Sequence, residues 1–121
     1  MLDAMEAATR TYLQAAVAGG SYLGWLAELP DGRVVGGGGV VICPWPGTPT
    51  DHQPRRVWIL NIYTEPDHRR RGVARRILEA ILAWCRDNGC RSVSLHASNQ
   101  GRKLYESLGF KPTNEMRLML P

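Results

Sequence analysis

Apolar and polar positions change period several times along the chain. Leu2, Met5, Ala8, Tyr12, Leu13 and Ala16 make a rough stripe at helical spacing, which predicts a helix over Leu2 to Ala18, closed by Gly19-Gly20. Ser21 to Leu29 reads as a strand, Pro30-Asp31-Gly32 as a turn, and Arg33 to Cys43 as the hairpin partner. That partner contains Gly36 to Gly39, four residues that form strands poorly. A bulged strand packed closely on a neighbour accounts for them structurally; room for a substrate against bare backbone is the functional account. Pro44 to Arg55 is a loop, with Trp45 expected to pack onto the domain and His52 assigned no function.

The stretch Trp58 to Ala74 organises the rest. Val57 to Tyr63 is nearly all apolar, β-branched or aromatic, as in a buried strand, and Pro66 ends it. Ala74, Ile77, Leu78, Ile81, Leu82 and Cys85 then fall on one helical face, and Asn88-Gly89 supplies the stop. Arg91 to Ala97 reads as a strand whose Ser92, Ser94 and His96 share a face; Ser98 to Gln100 is a turn and Gly101 to Leu108 a short helix. Phe110 to Pro112 and Glu115 to Leu120 read as final strand segments, broken by Pro112-Thr113-Asn114. This order predicts an α/β (α+β) fold, a central mixed sheet flanked by helices.

Between that strand and helix lies Arg69-Arg70-Arg71-Gly72-Val73-Ala74, the pattern R-x-x-G-x-A. A strand–loop–helix junction aims free backbone N–H groups at one spot, at the positive end of the helix dipole. Gly72 permits close approach to the main chain and the arginines add charge. The combination suits a pyrophosphate.

The chain has 121 residues, 44% hydrophobic and 21% charged, so one ordinary globular domain over residues 1–121 is expected. The absence of a signal-like start or a spanning apolar run leads to the expectation of a cytoplasmic protein without a membrane partner. Cys43, Cys85 and Cys90 show no zinc or redox spacing, and Cys85 reads as a small buried hydrophobe. The net charge of +4 gathers between Arg55 and Arg76, which favours a compact phosphate ligand over a solvated loop.

On these residues the chain resembles the GNAT superfamily of acyl-CoA-dependent N-acyltransferases, whose signature is [QR]-x-x-G-x-[GA] between a strand and a helix. Thr64-Glu65-Pro66 is similar to the family's V-x-P, and Leu104 to Phe110 (LYESLGF) matches its LYExLGF. Against the family's usual order, the sequence begins past an initial strand and helix; a late start, or a second subunit filling the gap, is the expectation. The resemblance implies acetyl-CoA as acyl donor, an amine acceptor and no metal. It places Ile62, Tyr63 and Thr64 along the pantetheine arm, with the Ile62 N–H polarising the thioester carbonyl. Loop amides from Arg70 through Gly72, Val73 and Ala74 to Arg75 hold the pyrophosphate. The side chains of Arg69, Arg70 and Arg71 are unranked candidates for the phosphates or adenosine.

Tyr105 is the implied catalytic acid for the departing thiolate. Ser98 stands where the family often has an asparagine on the pantetheine arm, with Asn99 one residue late. Many members carry a glutamate base on the strand matching Trp58 to Thr64, but Asn61 and Tyr63 are the polar residues of its interior here; Glu65 and His96 are the nearby alternatives, as is water. Acetyl transfer to an amine of a small molecule or protein is the leading expectation. An acyl-CoA-binding module without turnover is the alternative. A nucleic-acid-binding domain is disfavoured, because no basic stripe is interleaved with aromatic residues. A homodimer is compatible with an uncovered sheet edge.

Overall fold

The computed structural model describes residues Leu2 to Pro121, apart from the side chains of Leu2, Asp3, Met5 and Glu6. Helix α1 (Leu2–Gly19) leads into strands β1 (Tyr22–Glu28), β2 (Val34–Pro44) and β3 (Arg55–Thr64). A 3-10 turn over Pro66–His68 precedes α2 (Val73–Asp87), followed by β4 (Val93–Leu95) and α3 (Arg102–Ser107). The four strands form one mixed sheet in the order β1-β2-β3-β4; the first three pair antiparallel, and β4 joins β3 in parallel. A parallel neighbour needs a crossover, and α2 supplies it.

The core lies between the sheet and α2. Val40, Val57 and Ile59 meet Ile77, Leu78, Ile81 and Cys85, the residues that the helical period places on one face. Trp25 of β1 meets Trp84 of α2 edge to face, with ring centroids 6.2 Å apart. Cys85 is buried, and its desolvation, aided by Cys90, pushes the thiol up to about 11. It is a packing residue.

The glycine run is explained mainly by close approach. A Cβ on Gly36 would meet Val73 Cγ1 at 2.8 Å and the Tyr63 carbonyl oxygen at 2.9 Å. One on Gly38 would meet Ile62 Cδ1 at 2.5 Å and Ile77 Cγ2 at 2.9 Å. One on Gly39 would overlap the Tyr22 hydroxyl, which accepts a hydrogen bond from Asn61 Nδ2 at 3.2 Å. The β2–β3 register slips here: Gly37 pairs with Tyr63 but Gly39 with Leu60, so Asn61 and Ile62 have no partner in the β2 register. Asn61 takes up the bulge with a φ of 61°.

Several sequence expectations are corrected. In the α1 stripe Leu2 and Met5 lie outside the described side chains, Ala8 and Tyr12 are exposed, and burial is concentrated at Ala16. The strand expected over Arg91 to Ala97 is only Val93–Leu95, because pairing with β3 stops at Ile59, just before the bulge bends that strand. The expected final strands, Phe110 to Pro112 and Glu115 to Leu120, are not strands: neither pairs with β4, and a strand without a ladder does not hold. Trp45 is half-exposed, with the Arg56 guanidinium 6.0 Å from its ring.

The loop before β3 is anchored by Asp51, a buried carboxylate that accepts from Ser92 Oγ (2.6 Å), Arg56 Nη1 (2.9 Å) and the Gln53 N–H (3.0 Å). The Ser92 bond foremost, then the Gln53 bond and the nearby arginine charges, hold its carboxyl below the ordinary 3.8 despite burial. The folded state therefore binds this proton less readily than the unfolded chain. The stability Asp51 contributes is present above the ordinary value and is lost as pH falls through the lower folded one. Asp51→Asn is expected to be less stable than the parent at neutral pH and to lose less stability on acidification, as read by denaturant titration across that range. Gly38→Ala is expected to destabilise by about 1–3 kcal/mol through overpacking. Gly19→Ala, where a Cβ meets open space, is expected to stay within about 1 kcal/mol of the parent in the same experiment.

Candidate functional site

Beyond Ile59, β3 leaves β4, and the space between their ends opens into a cleft of about 820 Å3. One wall is the end of β3 with Ile62, Tyr63 and Thr64, which no longer pairs with β4. The floor is the loop and first turn of α2, and the far wall is the start of α3. Chain order produces this placement: β3 delivers the loop, α2 carries the chain across the sheet, and β4 delivers α3 to the opposite side.

The loop is shaped for an anion. Arg69 is extended, while Arg70 and Gly72 take left-handed φ values of 64° and 79°. Gly72 is the N-cap of α2 and gives no side-chain cap. The first helical bond runs from Arg76 N–H to the Gly72 carbonyl at 3.0 Å, so the N–H groups of Val73, Ala74 and Arg75 precede the intrahelical ladder. An uncapped helix start beside alternating backbone hands is a concave array of donors. A Cβ at Gly72 would meet nothing within 4 Å, so the space above it is open.

The arginines divide their work. Arg69 Nε donates to the Thr64 carbonyl at 3.1 Å, tying the loop back to the end of β3. Arg75 donates to Ser107 Oγ at 2.7 Å, fastening α2 to α3 across the cleft. Arg69, Arg70 and Arg75 line the cleft, whereas Arg71 does not.

Tyr105 is half-buried in the far wall. Its ring lies so close to Gly101 that a Cβ there would sit 2.8 Å from Cε2, and Phe110 meets it edge-on at 6.0 Å. Burial raises the phenol above its ordinary value of 10.0, so it holds its proton throughout the neutral range. Ser98 also lines the cleft, but its hydroxyl accepts the Gly101 N–H at 3.1 Å and thereby shapes the entry to α3. Asn99 is not in the lining.

Neither suggested base faces this cleft. Glu65 is exposed, outside the lining, and its N–H donates to the Val35 carbonyl. His96 meets the Trp58 ring edge to face, with centroids 5.4 Å apart, and lies in a different groove, beside Glu115 and Arg117. The lining also includes His68, Gln100, Gly101 and Leu104, which the sequence reading passed over. Their signal is adjacency: His68 follows Pro66 in the loop, and the others flank Ser98 and Tyr105. Among the described residues, no cluster of three or more His, Cys, Asp or Glu is placed to hold a metal, and no helix is long and apolar enough to cross a membrane.

Comparison with known proteins agrees with this architecture. Residues 3–110 match the model of the acetyltransferase (GNAT) family. Human N-acetyltransferase 8 is 29% identical over 94 residues, covering 75% of this chain and 39% of that protein. Aminoglycoside N(6')-acetyltransferase type 1 of Salmonella typhimurium is 30% identical over 63 residues, covering 50% of this chain and 43% of that protein. The chain thus spans less than half the length of these curated relatives. Among solved structures, a GCN5-related N-acetyltransferase from Ralstonia eutropha superposes with a TM-score of 0.91 at 35% identity, covering 98% of this chain and 78% of that one. A predicted acetyltransferase from Clostridium acetobutylicum, solved with acetyl-CoA, superposes at 0.83 with 26% identity, covering 91% and 71%. With residues 3–110 matched by the family model and the same fold found in these solved structures, the chain belongs to the GNAT acetyltransferase family.

Proposed function

We propose that the protein transfers the acetyl group of acetyl-CoA to an amine of a small molecule or protein, in the cleft between β3, α2 and α3. One observation carries the reading: the uncapped start of α2, the loop with left-handed Arg70 and Gly72, the end of β3 that has parted from β4 and the half-buried phenol of Tyr105 all face the same space. An acetyl-CoA-bound relative of this fold supports the choice of donor.

In this reading the loop N–H groups from Arg70 to Arg75 bind the pyrophosphate, with Arg70 closest to hand as a free-standing cleft cation. The extended Ile62–Thr64 segment lies along the pantetheine arm, as an edge strand takes an added one. The acceptor nitrogen attacks the thioester carbonyl carbon, and the Ile62 N–H stabilises charge on the carbonyl oxygen. The carbon–sulfur bond then breaks, and the sulfur takes the Tyr105 phenolic proton as it leaves. The acceptor nitrogen gives up its proton to water. Among the described residues none that lines the cleft is a carboxylate, which favours an acceptor that arrives as the neutral amine. The same observation keeps a second reading, acyl-CoA binding without turnover, in competition.

Calorimetric titration of acetyl-CoA separates the possibilities. The folded parent is expected to bind saturably, and Gly72→Glu, which puts a carboxylate into the open space above the loop, is expected to abolish binding while keeping the parent's circular dichroism. Binding that survives in the variant would remove the phosphate site from this loop. Release of CoA in the presence of an amine panel then decides between transfer and binding alone. Tyr105→Phe is expected to lower kcat by about 10²-fold, the lower end of general-acid effects, with KM for acetyl-CoA changed much less. Because the phenol is raised, the parent's loss of rate at alkaline pH is expected above the ordinary tyrosine range and to be absent from the variant.

A further inference from the structure

The end of α2 brings two thiols together. Asp87 is its last residue and Asn88 its C-cap. Gly89 then takes a left-handed φ of 70° and turns the chain back. The Cys90 N–H donates to the Cys85 carbonyl at 2.9 Å, and the Gly89 N–H to the Arg86 carbonyl at 3.2 Å. Such a pair of bonds closes a helix on a left-handed glycine, and the two residues joined by the outer bond frequently pack side chain on side chain. That contact is ordinarily between hydrophobes. Here both partners are free cysteines, buried in one core cluster. Cys90 is near enough to Cys85 to oppose its ionisation. Their spacing in the sequence carries no redox signature; the closure of the helix supplies the pairing. While reduced, both pack as small hydrophobes.

The thiols are not sealed in. Both line a cavity of about 370 Å3 between α2, β4 and the turn after α3. Leu82, Leu108 and Phe110 give it apolar surface, and the exposed Arg86, Arg91 and Lys111 give it positive charge. Among the described residues none that lines it is a carboxylate. Such a mouth favours the entry of a small anion.

We propose that Cys85 and Cys90 are a reversible dithiol–disulfide site, oxidised by a small anionic disulfide of the glutathione type that enters through this cavity. The Cys90 thiolate attacks one sulfur of the reagent, whose sulfur–sulfur bond breaks, and a mixed disulfide forms on Cys90. The Cys85 thiolate then attacks the Cys90 sulfur and expels the second half of the reagent. Two protein thiols are oxidised, the reagent is reduced to two thiols, and the two protons lost by the protein end on the leaving sulfurs. The order follows from burial. Cys85 is 2% exposed against 7% for Cys90, and its thiol is pushed up to about 11, so Cys90 reacts first and Cys85 closes the bond slowly. The site lies at the end of α2 remote from Gly72, and it does not depend on the acetyl-transfer reading.

Cys43→Ser leaves only this pair of thiols, and its reaction with glutathione disulfide, followed by intact mass and peptide mapping, is the test. An early species carrying one glutathione on Cys90 is expected, giving way to a species two hydrogens lighter than the starting chain, with Cys85 joined to Cys90. Dithiothreitol is expected to restore both thiols. Closure is expected to quicken about tenfold for each pH unit above neutrality, since an attacking thiol at about 11 gains thiolate in that proportion. Adding Cys85→Ala, with the fold checked by circular dichroism, is expected to stop the reaction at the mixed disulfide. Two unreacted thiols in the folded chain, both reacting once it is denatured, overturn the proposal. A lasting adduct with glutathione on each thiol, or cross-linking between chains in place of the internal bond, does the same.

Discussion

The closeness of α2 to β2 decides where everything else can sit. At Gly36 and Gly38 the sheet offers no side chains, so Val73, Ile77 and Ile62 fill the space that Cβ atoms would need. Leu78 and Ile81 are then fully enclosed. Burial of such side chains is worth about 1.5–3 kcal/mol each. The pull of a helix dipole on a neighbouring charge is about 0.3–1 kcal/mol. The core, not the charge of the loop, therefore fixes the axis of α2 and with it the position of its free first-turn N–H groups. The donors of the cleft are a by-product of packing, held in place by interactions many times stronger than any they make themselves.

The second constraint is the bulge in β3. A non-glycine residue in the left-handed region costs of order 1 kcal/mol, and asparagine tolerates it better than most. Asn61 pays this cost, and its amide reaches the Tyr22 hydroxyl, which lies over Gly39. The bend separates β3 from β4 after three paired residues. Without it the two parallel strands would continue side by side and their ladder would close the cleft. The glycine run and the bulge are thus two halves of one arrangement: one lets the helix in, the other lets the strands part.

Those halves were unequally legible in the sequence. The period of Ala74 to Cys85 makes α2 and its buried face plain, and R-x-x-G-x-A marks the junction of strand, loop and helix, because both are local patterns. The reading of the glycines as packing positions followed from their poor strand propensity, although which atoms approach them did not. The bulge was invisible: nothing in Leu60-Asn61-Ile62 announces a register slip that depends on two strands and a tyrosine 39 positions earlier. For the same reason the alternation from Arg91 to Ala97 predicts a longer β4 than the three residues that pair. Alternation makes His96 a candidate for the chemistry, yet it meets Trp58 edge to face in the neighbouring groove, just past the end of β4 at Leu95. His68 and Gly101 were missed because they belong to the site only through the folding back of the loop and of α3.

The cleft and the groove share one wall, and that wall is Tyr105. Its ring is wedged between Gly101 and Phe110, so neither side can be rebuilt without moving it. Burial of the ring raises the phenol above its ordinary value. A leaving thiolate is protonated best by a donor that keeps its proton until sulfur charge develops. Among the described residues Tyr105 is the one side chain that lines both spaces.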